Sequence, residues 1–199
     1  MKVIGITGSS GSGKTTIGEI LNQRKDTKIM NADQMAKALN KPGTEYFSEI
    51  QKAFENENIV LENGTLNRAK LANLIYHDNH CLETLNRITF RHLIPQIEIE
   101  IHSVMPEIKI LVIDAPLLFE AGLDKLCDIT IAIEAPIELK IKRICKRDKI
   151  PEEVAKARLE IQKSNQFYRE NADYVIENDE SISLEELEEK VNKLFFSFT

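Results

Sequence analysis

The chain has 199 residues, 42% of them hydrophobic. That is enough for one domain of ordinary size with a proper core and room for a small insertion. Its 32 acidic and 26 basic residues leave a net charge of −6, which argues against a nucleic-acid binder carrying a basic stripe. The cysteines (Cys81, Cys127 and Cys145) are odd in number and far apart. They match neither metal spacing nor a disulfide framework, and read as reduced thiols. No apolar run approaches membrane-spanning length, and the first residues lack the shape of a signal peptide. The expectation is a soluble cytoplasmic protein with no membrane or nucleic-acid partner, monomeric or weakly self-associating.

In chain order, Lys2-Val3-Ile4-Gly5-Ile6-Thr7 is a short apolar run with β-branched residues, the pattern of a buried strand. It leads into Gly8-Ser9-Ser10-Gly11-Ser12-Gly13-Lys14-Thr15, which fits Gly, four residues, Gly-Lys-Ser/Thr. Thr16-Ile17-Gly18-Glu19-Ile20-Leu21 then has apolar residues at helical spacing. Strand, glycine-rich turn and helix are the order that a phosphate-binding P-loop requires. In such a loop backbone N–H groups converge on an anion, and the helix adds the positive end of its dipole. Gly8, Gly11, Ser12, Gly13, Lys14, Thr15 and Thr16 are therefore the candidate nucleotide-binding residues. Lys14 would reach the β- and γ-phosphates of ATP, and the Thr15 hydroxyl would ligate Mg²⁺.

Lys28–Asp33 reads as a second strand ending in a polar turn. Residues 34 to 106 read as mostly helical, broken at Pro42-Gly43 and at an Asn-Gly turn, Asn63-Gly64, with Pro95 bending the last helix. Ile108–Ile113 is the clearest strand, aliphatic nearly throughout, as expected of a central parallel strand. Asp128–Ile133 is another, after which Pro136 opens a helix broken by Lys149-Ile150-Pro151. Residues 152 to 170 form a charged helical hairpin or flap, Tyr174–Ile176 a last strand, and Leu184–Phe195 an amphipathic helix. Strands alternating with helices predict an α/β fold of the P-loop NTPase type, a parallel sheet flanked by helices. Ligands of such sheets bind beyond the carboxyl ends of the strands.

Phosphoryl transfer needs a phosphate cradle, Mg²⁺, a base for the attacking hydroxyl and cations for the transferred charge. Asp33, at a strand end, is either that base or a turn or N-cap aspartate for a helix starting at Gln34. Asp114, ending the strongest strand, either orients Mg²⁺ or forms the turn before Ala115-Pro116. Arg143 and Arg147 share one helix face and either fork onto phosphate oxygens or belong to a solvated face. His77 and His80 have no third ligand at metal spacing and read as surface residues. Phe54, Phe90, Phe119 and Phe167 read as core or pocket-lining.

Together these residues resemble the dephospho-CoA kinases. The resemblance lies in Gly5-Ile6-Thr7-Gly8, Ala32-Asp33, Pro42-Gly43, Asn63-Gly64-Thr65-Leu66-Asn67-Arg68 and, most distinctively, Asp114-Ala115-Pro116-Leu117-Leu118-Phe119-Glu120. Arg143, Arg147-Asp148 and Ala172-Asp173-Tyr174-Val175-Ile176 with Asn178 complete it. It implies phosphorylation of the 3′-hydroxyl of dephospho-CoA by ATP, giving CoA and ADP, the last step of CoA biosynthesis. It also implies a single P-loop kinase domain, with a core of about residues 1–33 and 106–199. A helical CoA-binding insertion would cover about 34–105 and a mobile lid about 148–168. Asp33 becomes the general base, Arg68 a substrate-side contact, and Arg143 and Arg147 lid-side phosphate contacts.

This chain departs from the family pattern at Ser9-Ser10, where Gly-Ile is usual, at Asn31 for Asp and at Lys37 for Arg. Phe90-Arg91 stand where His-Pro is usual, with His92 close by. The alternative is another P-loop small-molecule kinase, acting on a nucleoside, nucleoside monophosphate or sugar. A guanine-nucleotide switch would need Asn-Lys-x-Asp, and the sequence has none.

Overall fold

The computed structural model describes residues 1–198. Residues 1–31 together with 104–198 form one compact unit, and residues 32–103 form another.

The first unit is built on a parallel sheet of β1 (Lys2–Thr7), β2 (Thr27–Asn31), β3 (Ile110–Asp114), β4 (Ile129–Glu134) and β5 (Tyr174–Glu177), in the spatial order β2-β3-β1-β4-β5. Apolar runs form strands here because both faces are covered. Ile4, Ile6, Ile110, Val112, Ile131 and Ile133 pack into one cluster with Ile17, Ile20 and Leu21 of the first helix and Leu187, Val191 and Phe195 of the last. In the central strands β1 and β3, the intervening Val3, Leu111 and Ile113 are buried as well. Pairing of Ile6 with both Asp114 and Ile131, and of Asn31 with Asp114, brings the carboxyl ends of four strands level. The loop after β1, the turn after β3 and the segment after β4 therefore open on one rim. Asn178, just past β5, joins them, its N–H bonding to the Glu134 carbonyl at 2.8 Å.

Two local features hold that rim. A Cβ at Gly5 would lie 2.8 Å from both Leu118 Cδ2 and Cys127 Sγ, so the absence of a side chain lets the turn after β3 seat against β1. The Thr7 hydroxyl donates to the Pro116 carbonyl at 3.2 Å.

The helices of this unit are α1 (Lys14–Asn22), α6 (Ile137–Asp148), α7 (Glu152–Glu160), α8 (Asn165–Asn171) and α9 (Leu184–Phe196). The break between α6 and α7 falls at Lys149, whose φ of 55° ends α6 before Pro151 precedes α7. Ile141 and Ile144 of α6 pack against Ala155 and Leu159 of α7.

The second unit contains α2 (Ala32–Leu39), α3 (Glu45–Ala53), α4 (Arg68–His77) and the long α5 (Asn79–His102). Tyr46, Phe47, Ile50, Phe54, Leu71 and Ile88 form its core. The side chains of Thr44, Asn67 and Asp78 cap the following helices, each accepting from a first-turn backbone N–H. Helix α5 continues through Pro95.

The second strand stops at Asn31, two residues short of the sequence expectation, and Asp33 lies inside the first turn of α2, not before it. Ala32 favours helix, and an acidic side chain in the first turn complements the helix dipole. His77 and His80 are exposed, and the His77 ring bonds to the Asn73 carbonyl at 2.8 Å. Phe54 is buried, while Phe119 and Phe167 meet edge to face with centroids 5.8 Å apart.

Candidate active site

The loop between β1 and α1 holds three glycines at positive φ, Gly8, Gly11 and Gly13. Gly13 sits at φ 102°, and a Cβ there would lie 1.9 Å from Asn178 Nδ2. Positive φ and lack of space together demand glycine. Helix α1 begins at the next residue, so its first-turn N–H groups start at the loop's edge, and no acidic side chain occupies that turn to offset the dipole. Lys14 folds back over the loop, its Nζ 2.5 Å from the Gly8 carbonyl and 3.4 Å from that of Ser9. Thr15 is exposed, Thr16 half-buried, and Ser12 wholly buried beneath the loop.

Arg143 projects from α6 onto the same loop. Its Nη1 donates to the Gly11 carbonyl at 3.2 Å and to the Ser12 carbonyl at 3.4 Å, and its Nη2 donates to Asn178 Oδ1 at 3.3 Å. Asn178 in turn donates to the Ser12 carbonyl at 3.1 Å. One turn further along α6, Arg147 Nη2 donates to the Ser10 hydroxyl at 3.2 Å. Arg147 also forks onto Asp148, at 2.7 and 2.9 Å. Bonding to Arg147, helped by Arg158, holds the Asp148 carboxyl down at about 2. The two arginines expected to share a face thus meet the loop at Gly11, Ser12 and Ser10.

Asp114 closes β3 on the same rim, and its Oδ2 accepts from Asn31 Nδ2 at 2.8 Å. An asparagine at position 31 suits this pairing, because it can donate to a carboxylate where an ionised aspartate could only repel it. Asp33 and Arg68 belong to the second unit, exposed in the first turn of α2 and at the first residue of α4. In that unit Glu49 lies 3.2 Å from Arg91 and 3.4 Å from the His92 ring, which meets the Tyr46 ring edge to face.

Two residues of the loop's surroundings had no role assigned from sequence. Asn178 belongs to a segment that carries the family resemblance, but nothing in its spacing connects it to Gly13. Lys140 reads as one more cation on a charged helix, yet its Nζ lies 3.0 Å from the Ser9 hydroxyl and 2.8 Å from Asn165 Oδ1.

The dephospho-CoA kinase family model matches residues 2–183. The chain belongs to the dephospho-CoA kinase family. It is 35% identical over 191 residues to the dephospho-CoA kinase of Fusobacterium nucleatum, covering 96% of this chain and 95% of that protein. It is 31% identical over 200 residues to the enzyme of Saccharomyces cerevisiae, covering 98% and 83%. The dephospho-CoA kinase structure from Campylobacter jejuni superposes with a TM-score of 0.70 at 28% identity, over 98% of this chain and 96% of that one. A shikimate kinase from Acinetobacter baumannii, 19% identical with a TM-score of 0.54, shares the fold, covering 99% of this chain and 94% of that one. This dephospho-CoA kinase is accordingly a transferase of CoA biosynthesis built on a P-loop kinase sheet. Among the described residues, no helix is long and apolar enough to cross a membrane.

Proposed function

We propose that residues 8–16 hold the triphosphate of ATP while the 3′-hydroxyl of dephospho-CoA attacks the γ-phosphorus. The observation that carries this reading is the gathering of Lys14, Arg143 and the amino end of α1 around one glycine-rich turn. On this reading Lys14 leaves its carbonyl partners and turns to the β- and γ-phosphates, where an ammonium group is worth more than on neutral oxygens. Arg143 serves the nucleotide from the far side of the loop. Arg147, already at Ser10, serves the terminal phosphates.

Asp33 accepts the proton of the attacking hydroxyl, and Arg68 contacts the acceptor substrate. The helical segment of about residues 34–105 binds dephospho-CoA, and about 148–168 forms a lid that excludes water, the competing acceptor. Thr15 and Asp114 offer a hydroxyl and a carboxylate, hard oxygen donors that suit Mg²⁺, leaving its other positions to water and phosphate oxygens. Bound there, the ion would neutralise charge between the β- and γ-phosphates. The protein would work in the cytoplasm.

The test is ADP release with ATP and Mg²⁺ in the presence of dephospho-CoA, a nucleoside panel, sugars and shikimate in turn. Stimulation by dephospho-CoA is expected. Stimulation by another acceptor and none by dephospho-CoA overturns the assignment. Lys14→Ala should weaken ATP binding and turnover together.

A further inference from the structure

The first half of the phosphate loop is tied from below by a lysine that no phosphate role explains. Lys140 lies on α6 with only 5% of its surface exposed. Its Nζ donates to the hydroxyl of Ser9, itself 4% exposed, at 3.0 Å and to Asn165 Oδ1 of α8 at 2.8 Å. Asn165 in turn donates from Nδ2 to the Ala135 carbonyl, just past β4, at 3.2 Å. The backbone of the same residue also floors the loop, since a Cβ at Gly11 would lie 2.6 Å from the Lys140 carbonyl oxygen. Burial lowers the proton affinity of Lys140, and the Glu134 carboxylate nearby opposes that shift.

Both hydrogen-bond partners of Nζ are neutral oxygens. An uncharged N–H donor can serve them too, although the ammonium makes the stronger bonds. Ser10 is held from the same side, because its N–H donates to Gln162 Oε1 at 2.8 Å. Ser9 and Ser10 thus hang from α6 and from the segment that joins α7 to α8, and the amides that follow them inherit their position.

We infer that Lys140 is a positioning residue for the phosphate loop: by joining the Ser9 hydroxyl to Asn165 it fixes the loop's shape before ATP arrives and couples it to α8. This inference rests on the reading of residues 8–16 as the triphosphate cradle. Preorganisation of this kind acts on the substrate held by the loop and not on the other one.

The experiment is steady-state kinetics on Lys140→Met, Lys140→Gln and Ser9→Ala with each substrate varied in turn, alongside thermal melting without ligand. Lys140→Met is expected to raise KM for ATP about tenfold while KM for dephospho-CoA moves less than about twofold. Lys140→Gln, which keeps two N–H donors without the charge, should recover part of that loss. Ser9→Ala should raise KM for ATP about threefold and add little on top of Lys140→Met, since the two changes remove one contact. An equal shift in both KM values, no shift in either, or a Gln variant no better than Met overturns the inference. Should Lys140→Met fail to fold, Ser9→Ala and Asn165→Ala decide, and an unchanged KM for ATP in both overturns it. Lys14→Ala separates the two readings. If it leaves ATP binding unaltered, the cradle itself is misassigned; if it weakens ATP binding while Lys140→Met does not, only the brace is lost.

Discussion

At Gly13 two demands coincide, a backbone at φ 102° and a neighbour, Asn178, in the space a side chain would take. Gly13→Ala should therefore destabilise the protein by about 1–3 kcal/mol and abolish tight ATP binding, measured by melting and nucleotide titration. Adding Asn178→Ala opens the space but leaves the backbone strain, so the double variant should regain only part of the loss. Asp33 carries the sharpest kinetic prediction. Asp33→Asn should leave ATP binding nearly intact and cut turnover about 100-fold or more; near-normal turnover removes Asp33 from the mechanism. The P-loop residues were legible in the sequence because their spacing is local. Asn178, Lys140 and the use of Ser9 were not, because each works through a partner more than a hundred residues away. The two serines that depart from the family pattern are absorbed by this same arrangement, one bonding Lys140 and the other Arg147.

Among the elements, the turn from α6 into α7 concentrates charge. Asp148, the last residue of α6, bonds to Arg147 beside it and to Arg158 in the last turn of α7, which links the two helices. Its depressed proton affinity means that it stays ionised when the protein is folded at pH values where an unfolded chain would already be protonated. The stability this link contributes is complete above about pH 4, the ordinary aspartate range. It is lost as the pH falls through the folded value of about 2. The Tm difference between the protein and Asp148→Asn should persist at neutral pH and shrink over that window. A constant difference across it denies the link its electrostatic origin. Strands and the P-loop helix were the easiest elements to read, because buried parallel strands are uninterrupted aliphatic runs. The end of β2 is not legible because Asn31-Ala32-Asp33 has the residues of a polar turn, whereas the strand passes into α2 without a loop.

At the scale of the molecule, the sheet core of the first unit draws the last helix onto the strands. Phe195 of α9 is fully buried there with Val191 and Leu187. Phe195→Ala should cost about 3–5 kcal/mol, a fall of about 10 °C in Tm for a chain of this size. A drop below about 3 °C would place the load elsewhere.

The strand order has a temporal consequence. β1, which a ribosome makes first, lies between β3 and β4, and its loop is closed from behind by a residue just after β5. A growing chain therefore carries the phosphate motif, residues 8–15, well before the elements that hold it in shape. Nucleotide-binding competence should switch on late and abruptly, when the fifth strand emerges and Asn178 reaches Ser12.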